Sequence, residues 1–225
     1  MAFRRRYYAD GSGAALVDRL PDAIREGLGL DDESARLTRR IEIGAGPYPR
    51  PGYVHVDADP NARHLEAEAL AWDLPFPDGW ANEISSVHVL EHVHPRRLQT
   101  TLREWHRVLR PGGVVRVHVP NSPALMQAWL AAEGTREKWM LAGAVLGMYG
   151  GPHVRGPEDL PTDADHQILF DRELLLASLG EAGFVDVADL TETVTDRHTE
   201  GWKEVVDRCS IVAEGRKATA PSSTG

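Results

Sequence analysis

Cysteine is almost absent. Cys209 stands alone among 225 residues, so no intrachain disulfide and no cysteine-based zinc cluster can form. Long apolar runs are missing too: the longest, "MLAGAVLGMYGG" (140–151), is too short and too rich in glycine to span a bilayer. The basic start "MAFRRRYYADGSG" has no apolar stretch behind it and does not read as a signal peptide. A cytoplasmic protein without a membrane partner is the expectation. Positive charge is in deficit. The formal net charge of −9 disfavours nucleic acid as a partner, because a broad basic surface cannot be assembled. Neither an internal repeat nor a long linker divides the chain. What remains, 42% hydrophobic and 26% charged residues, is enough for one soluble domain with a proper core.

Within that composition the hydrophobic pattern changes along the chain. Leu16, Leu20, Ile24 and Leu28 recur every four residues and give one helical stripe, kinked or restarted at Pro21. Residues 1–12 read as a mobile arm in front of it. "RRIEIGAG" (39–46), "YVHVDAD" (53–59), "NEISSVHVL" (82–90) and "VVRVHVP" (114–120) read as strands, with a weaker one in "EALAW" (68–72). Helices are expected over 95–109, stopped by "RPGG", over 123–133, capped by Asn121 or Ser122, and over 171–184. Strands over 184–190 and 208–216 follow. Residues 134–166, rich in Gly and Pro, are expected to be irregular, and the tail "KATAPSSTG" disordered. Alternating strands and helices imply an α/β domain with a largely parallel sheet. Ligands of such sheets lie beyond the C-terminal strand ends, which here are Gly44–Gly46, Asp57, Asp73 and His88–His92.

One five-residue pattern invites a different chemistry. "HVLEH" holds His88, Glu91 and His92 in the H-x-x-E-H spacing of an inverted zinc-peptidase motif. That motif needs both histidines on one face of a continuous helix. His88 instead follows the β-type run "EISSV", and Pro95 comes three residues after His92. The spacing therefore straddles a strand end and a helix start, which breaks the geometry, and no metal is expected.

The glycine turn after the first strand is more informative. Gly44 and Gly46 let a ligand approach the backbone, since no Cβ blocks it. A dinucleotide site needs a third glycine and a helix whose N-terminus meets the diphosphate, whereas this chain continues with Pro47, Pro49 and Pro51. Only 13 positions separate Gly44 from Asp57, against about 20 from glycine loop to ribose acid in the dinucleotide fingerprint. A ligand without a diphosphate fits better, which disfavours NAD and FAD.

In order, "IEIGAG", "VHVDADP", "WDLPFPDG", "ISSVHVLEHV", "LREWHRVLRPGGVVRVHVP" and "LLASLGEAGF" resemble the class I S-adenosylmethionine-dependent methyltransferases of the small, methyltransferase type 11-like kind. The resemblance runs from about Arg40 to Phe184. It implies a three-layer α-β-α sandwich with a Rossmann-like, mostly parallel seven-stranded sheet and an antiparallel last strand. The implied organisation is an N-terminal helical arm or lid (1–35), a methyltransferase domain (36–216) with a variable insertion (134–166), and a tail (217–225).

Carried onto this chain, the resemblance implies a set of cofactor contacts. Glu42 and the backbone of Gly44, Ala45 and Gly46 would face the methionine end of the cofactor. Asp57 would accept from the ribose hydroxyls, since two carboxylate oxygens suit a vicinal diol. Asp73 would accept from the adenine amino group beside the Leu74 backbone, and Val87–Leu90, with His88, would pass near the sulfonium. The same side chains also admit plainer readings: a turn carboxylate at Asp57, a turn cap at Asp73, a core histidine at His88, a helix cap at Glu91.

Methyl transfer needs a base only where the acceptor is protonated, and histidine suits that role. His92, just past the strand that carries the methyl site, is the first candidate, Glu91 the second and His166 the third. The acceptor pocket would be built from residues 1–30 and 134–166, whose aromatic and Met side chains can line an apolar pocket. A small-molecule acceptor is the expected partner, and a homodimer is compatible with such a chain. The alternatives are a domain that binds the cofactor without transferring methyl, and the zinc hydrolase.

Overall fold

A computed structural model describes residues 39–44, 50, 52–58, 67–147, 166–193 and 209–219. The expected arm or lid over 1–35, Ala45 and Gly46, residues 148–165 of the insertion and the tail from Ala220 lie outside the described residues.

Seven strands form one sheet in the order β3-β2-β1-β4-β5-β7-β6. They are β1 (Arg40–Ile43), β2 (Val54–Asp57), β3 (Ala67–Glu68), β4 (Ala81–Val87), β5 (Leu109–Pro120), β6 (Phe184–Asp189) and β7 (Ser210–Lys217). β1 pairs in parallel with both β2 and β4, and β4 with β5, whereas β7 runs antiparallel between β5 and β6. In the central strands Ile41, Val56, Ile84, Val115 and Val117 are wholly inaccessible on one face, and Glu42, His55, Ser85 and His118, at the alternate positions, are polar yet buried as well. That is the pattern of a parallel sheet covered on both sides. With its flanking helices the chain adopts a Rossmann-like α/β fold, as the sequence implied.

Helix α1 (Leu98–Val108) connects β4 to β5. Its buried positions, Leu98, Thr101, Leu102, Trp105 and Val108, recur at helical spacing and form one core stripe. The Trp105 ring is fully buried and satisfies its only donor by giving Nε1–H to the Ala71 carbonyl at 2.8 Å. This bond fixes the loop after β3 to the helix. Helix α2 (Ser122–Ala131) is capped by Asn121, which accepts from Ala124 N, as expected. Helix α4 (Arg172–Glu181) is capped by Asp171, which accepts from Leu174 N.

Four elements differ from their expected form, the first being the weak strand expected over 68–72, which is only the two-residue β3. Residues 134–166 are not irregular throughout, because α3 (Thr135–Leu146) is a regular helix that ends on Gly147 in the left-handed conformation. "RPGG" follows the end of α1 at Val108, as expected, but lies inside β5 rather than ahead of it. The strand begins at Leu109, opposite Ala81, and resumes register with Glu83 at Val114, so the extra residues bulge out within the strand. β7 extends one residue beyond its expected end, taking Lys217 from the tail. Lys217 Nζ donates to the carbonyls of His106 and Leu109 at 2.8 Å each, which holds it there.

Candidate active site

The strand order places a topological switch point between β1 and β4, where one chain path leads toward β2 and the other toward β5. Crevices at such points are where α/β sheets bind ligands. Gly44 ends β1 with φ +72, a backbone state that side chains rarely adopt, and its N–H donates to the Val56 carbonyl at 2.7 Å. A Cβ built on Gly44 would lie 2.2 Å from Val89 Cγ2. Glycine is therefore required twice over, by the turn and by the close approach of the β4 end. Where a Cβ would stand, the Val89 side chain packs instead. Asp57 closes β2 beside it and is partly exposed.

Glu42, next to the turn, is buried with its carboxylate held in place. Oε2 accepts from the Arg50 N–H at 2.8 Å, and the Arg50 Nε lies 3.5 Å from Oε1. His55 Nε2 donates to the Arg50 carbonyl at 2.8 Å and stands 3.6 Å from Glu42 Oε2. These contacts pin the chain at Arg50 against the floor of the cleft.

Asp73 and Leu74 lie on the loop before β4, and the Leu74 N–H is already engaged, donating to Glu104 Oε1 at 2.9 Å. Arg107 organises this loop. Its guanidinium donates to Glu104 through Nε (2.8 Å) and Nη2 (2.7 Å), to Asp78 (2.7 Å) and to the Phe76 carbonyl (2.9 Å). The hydrogen bonds with Glu104 drive the guanidinium further above its ordinary range, against the opposing effect of burial. Sequence reasoning did not single out Glu104 and Arg107; their i, i+3 spacing on the exposed side of α1 was the available signal.

Beyond β4 the chain turns sharply. His88 has φ +57, a left-handed conformation, and Leu90–His92 form a 3₁₀ turn before the extended Val93. The zinc-peptidase geometry is thus broken, as the sequence indicated. Glu91 does not cap a helix; α1 starts only at Leu98, and Glu91 is buried to 1% exposure. Its Oε1 accepts from His88 Nδ1 at 3.0 Å, and the Ser210 hydroxyl donates to His88 Nε2 at 3.1 Å. His166 arrives from a distant segment: the N–H groups of Gln167 and Ile168 donate to the Glu91 carbonyl at 2.6 and 3.1 Å. His166 Nε2 then lies 3.8 Å from Glu91 Oε1, with His92 Nε2 at 4.0 Å. The His92 and His166 rings meet edge to face at 4.9 Å.

All three expected catalytic candidates are therefore brought together, around one carboxylate. Burial pushes Glu91 up, but the hydrogen bond from His88 and the neighbouring imidazoles outweigh it, so the carboxyl is held below its usual range and is ionised. Burial pushes His166 down, against the pull of Glu91. His88 has both ring nitrogens engaged, linking Ser210 to Glu91, in keeping with the plainer reading of a satisfied histidine.

The family described as "Methyltransferase domain" matches residues 52–117, from β2 through most of β5. A crystal structure from Archaeoglobus fulgidus described as a SAM dependent methyltransferase is 17% identical, covering 92% of this chain and 95% of its own, with a TM-score of 0.49. The 1,6-didemethyltoxoflavin-N1-methyltransferase of Burkholderia thailandensis, with bound 1,6-didemethyltoxoflavin and S-adenosylhomocysteine, is also 17% identical; it covers 96% and 93%, with a TM-score of 0.47. A possible histamine N-methyltransferase from Thermotoga maritima is 15% identical and covers 90% and 99%, with a TM-score of 0.47. No curated protein sequence matches the chain significantly. Among the described residues no helix is long and apolar enough to cross a membrane.

Proposed function

We propose that this chain, a class I methyltransferase using S-adenosylmethionine, delivers a methyl group to a small-molecule acceptor whose nucleophile carries a proton. The observation that carries the reading is the left-handed glycine turn at Gly44, set at the β1–β4 switch point with Asp57 on the neighbouring strand end. A glycine turn lets a ligand approach the backbone, and a carboxylate beside it suits a vicinal diol.

S-adenosylmethionine, when bound, supplies an activated methyl group on a sulfonium. The chain would hold it through Gly44, Ala45 and Gly46 at the methionine end, with Glu42 beneath, through Asp57 at the ribose, and through Asp73 and the Leu74 region at the adenine. Arg107 and Glu104 keep that last loop in place. Alignment of the acceptor and exclusion of water are the main demands on the protein.

His92 receives the acceptor's proton. Its ring is partly exposed, and Glu91 Oε1, 4.0 Å from Nε2, stabilises the imidazolium that forms. Glu91, at 1% exposure, cannot meet the acceptor itself and acts as a positioning residue. Trp129, Trp139 and Met140, on the helices that follow β5, are 40%, 52% and 57% exposed. They support an acceptor with a ring or an apolar body. Acidic balance supports a small molecule over nucleic acid.

Turnover with candidate acceptors tests this reading. His92→Ala should lower turnover at least about tenfold with nearly unchanged S-adenosylmethionine affinity. Unaltered turnover would remove His92 from the chemistry. Tight cofactor binding with no transfer to any acceptor would favour a binding role instead.

A further inference from the structure

Packing gives no reason for a hydroxyl at Ser210. The residue opens β7 opposite Pro120 on β5 and is 1% exposed, and Ile211, Val212 and Ala213 after it are buried and apolar. Burying a hydroxyl is unfavourable unless it is hydrogen-bonded. Ser210 meets that demand by donating to His88 Nε2 at 3.1 Å, 122 residues back in the chain.

His88 is fixed on its other sides as well. Its N–H donates to the His118 carbonyl at 3.0 Å, and its left-handed backbone, with φ +57, turns the chain so that Nδ1 reaches Glu91 Oε1 at 3.0 Å. An ionised carboxylate only accepts, so the proton between the two belongs to Nδ1, and in the neutral ring Nε2 accepts from Ser210. Among the described residues this is the one hydrogen bond that the Glu91 carboxylate receives; Oε2 is buried with none. The orientation of the carboxylate therefore hangs on His88. His92 Nε2 lies 4.0 Å from the same oxygen that His88 holds.

We propose that Ser210 and His88 are positioning residues for methyl transfer, holding the Glu91 carboxylate where it supports the protonated form of His92. The proposal rests on the reading of His92 as base. The acceptor's proton passes to His92 and stays there; neither Ser210 nor His88 carries it. Attraction between a carboxylate and an imidazolium falls with distance, so a carboxylate free to rotate supports His92 less. Loss of the bond from His88 also removes an interaction that favours the ionised carboxylate. His166 cannot replace it, because its Nε2 stands 3.8 Å from Oε1, beyond hydrogen-bond distance, and its Nδ1 donates to the Val145 carbonyl.

Diethyl pyrocarbonate tests the arrangement without an acceptor, since it acylates the lone pair of a neutral imidazole. The full chain is treated at mildly alkaline pH, and mass spectrometry gives the rate at His92 and at the exposed His94. His88→Leu should slow the reaction at His92 at least about threefold, and Ser210→Ala should slow it less, in the same direction. The His94 rate should not change. His88→Asn should stay close to the unaltered protein, because the Asn amide donates in place of Nδ1 and tolerates a left-handed backbone. A merely loosened structure would expose His92 and speed its reaction, so slowing separates positioning from packing. Ser210→Ala removes one atom and is expected to fold, which circular dichroism checks; it decides the matter if His88→Leu does not fold. An unchanged or faster reaction at His92 in Ser210→Ala, or a fall in His88→Asn as large as in His88→Leu, would overturn the proposal. Turnover by His92→Ala tests the base itself. Full activity there would end the role of His92 in transfer, whereas slow turnover with unchanged acylation in Ser210→Ala would end only the positioning role.

Discussion

Placing a methyl group on Gly44 probes its contact with Val89 directly. The Cβ of Gly44→Ala would sit 2.2 Å from Val89 Cγ2, where carbon atoms prefer about 3.5–4.0 Å. The residue would also have to keep φ near +72, which costs a side-chain-bearing residue about 1–2 kcal/mol. Overpacking of this kind adds about 1–3 kcal/mol, because β-branched Val89 has few other rotamers. The combined loss is about 2–5 kcal/mol. For a chain of this size each kcal/mol lowers Tm by about 2–4 °C.

Val89→Ala separates the two terms. Val89 Cβ lies 3.6 Å from the built Cβ, an ordinary contact, so in that background only the backbone cost of about 1–2 kcal/mol remains. Urea unfolding of the four proteins in this cycle should give a coupling of about 1–3 kcal/mol. Calorimetry should show weaker S-adenosylmethionine binding by Gly44→Ala, partly restored in the double variant. A loss below about 1 kcal/mol, or the same loss in both backgrounds, would refute the apposition of the two strand ends.

Two further outcomes follow from the surroundings of the site. Arg107→Met should cost about 1–3 kcal/mol in urea unfolding, by removing charge-assisted bonds to Glu104 and the loop carbonyls, and should raise the Kd for S-adenosylmethionine more than it lowers kcat. His106 is held below its ordinary pKa, first by burial and then by Lys217. The unfolded chain therefore takes up its proton first as pH falls through about 6.5, and stability drops with it. His106→Asn should flatten that part of the stability–pH curve measured by denaturant unfolding; an unchanged slope would contradict the assignment.

The sheet was legible because its strands are short β-branched runs ended by glycine or an acid, as in "RIEI" and "VHVD". Helix α1 was legible for the same kind of reason, a single apolar stripe. α3 was not. Gly and Pro counted over the whole of 134–166 hid a window, "TREKWMLAGAVL", that carries a single interior glycine and good helix formers. "RPGG" reads locally as a helix stop, and the helix does end there, yet β4 pairs with β5 both before the bulge, at Leu109, and after it, at Val114.

The candidate site divides in a similar way. Positions at strand ends could be found by order and spacing, since topology alone brings them together. Contacts between distant segments could not. That His166 meets Glu91 depends on backbone bonds from Gln167 and Ile168 to the 3₁₀ turn. That Val89 closes on Gly44 depends on the β1–β4 register.

The most direct test of the central claim is calorimetric titration of the untagged protein and Asp57→Ala with S-adenosylmethionine and S-adenosylhomocysteine. One molecule of either should bind per chain, and Asp57→Ala should weaken both by about 10- to 100-fold, as expected for hydrogen bonds to a charged group. No binding by the unaltered chain, or equal binding by the variant, would contradict a nucleoside cofactor seated between Gly44 and Asp57.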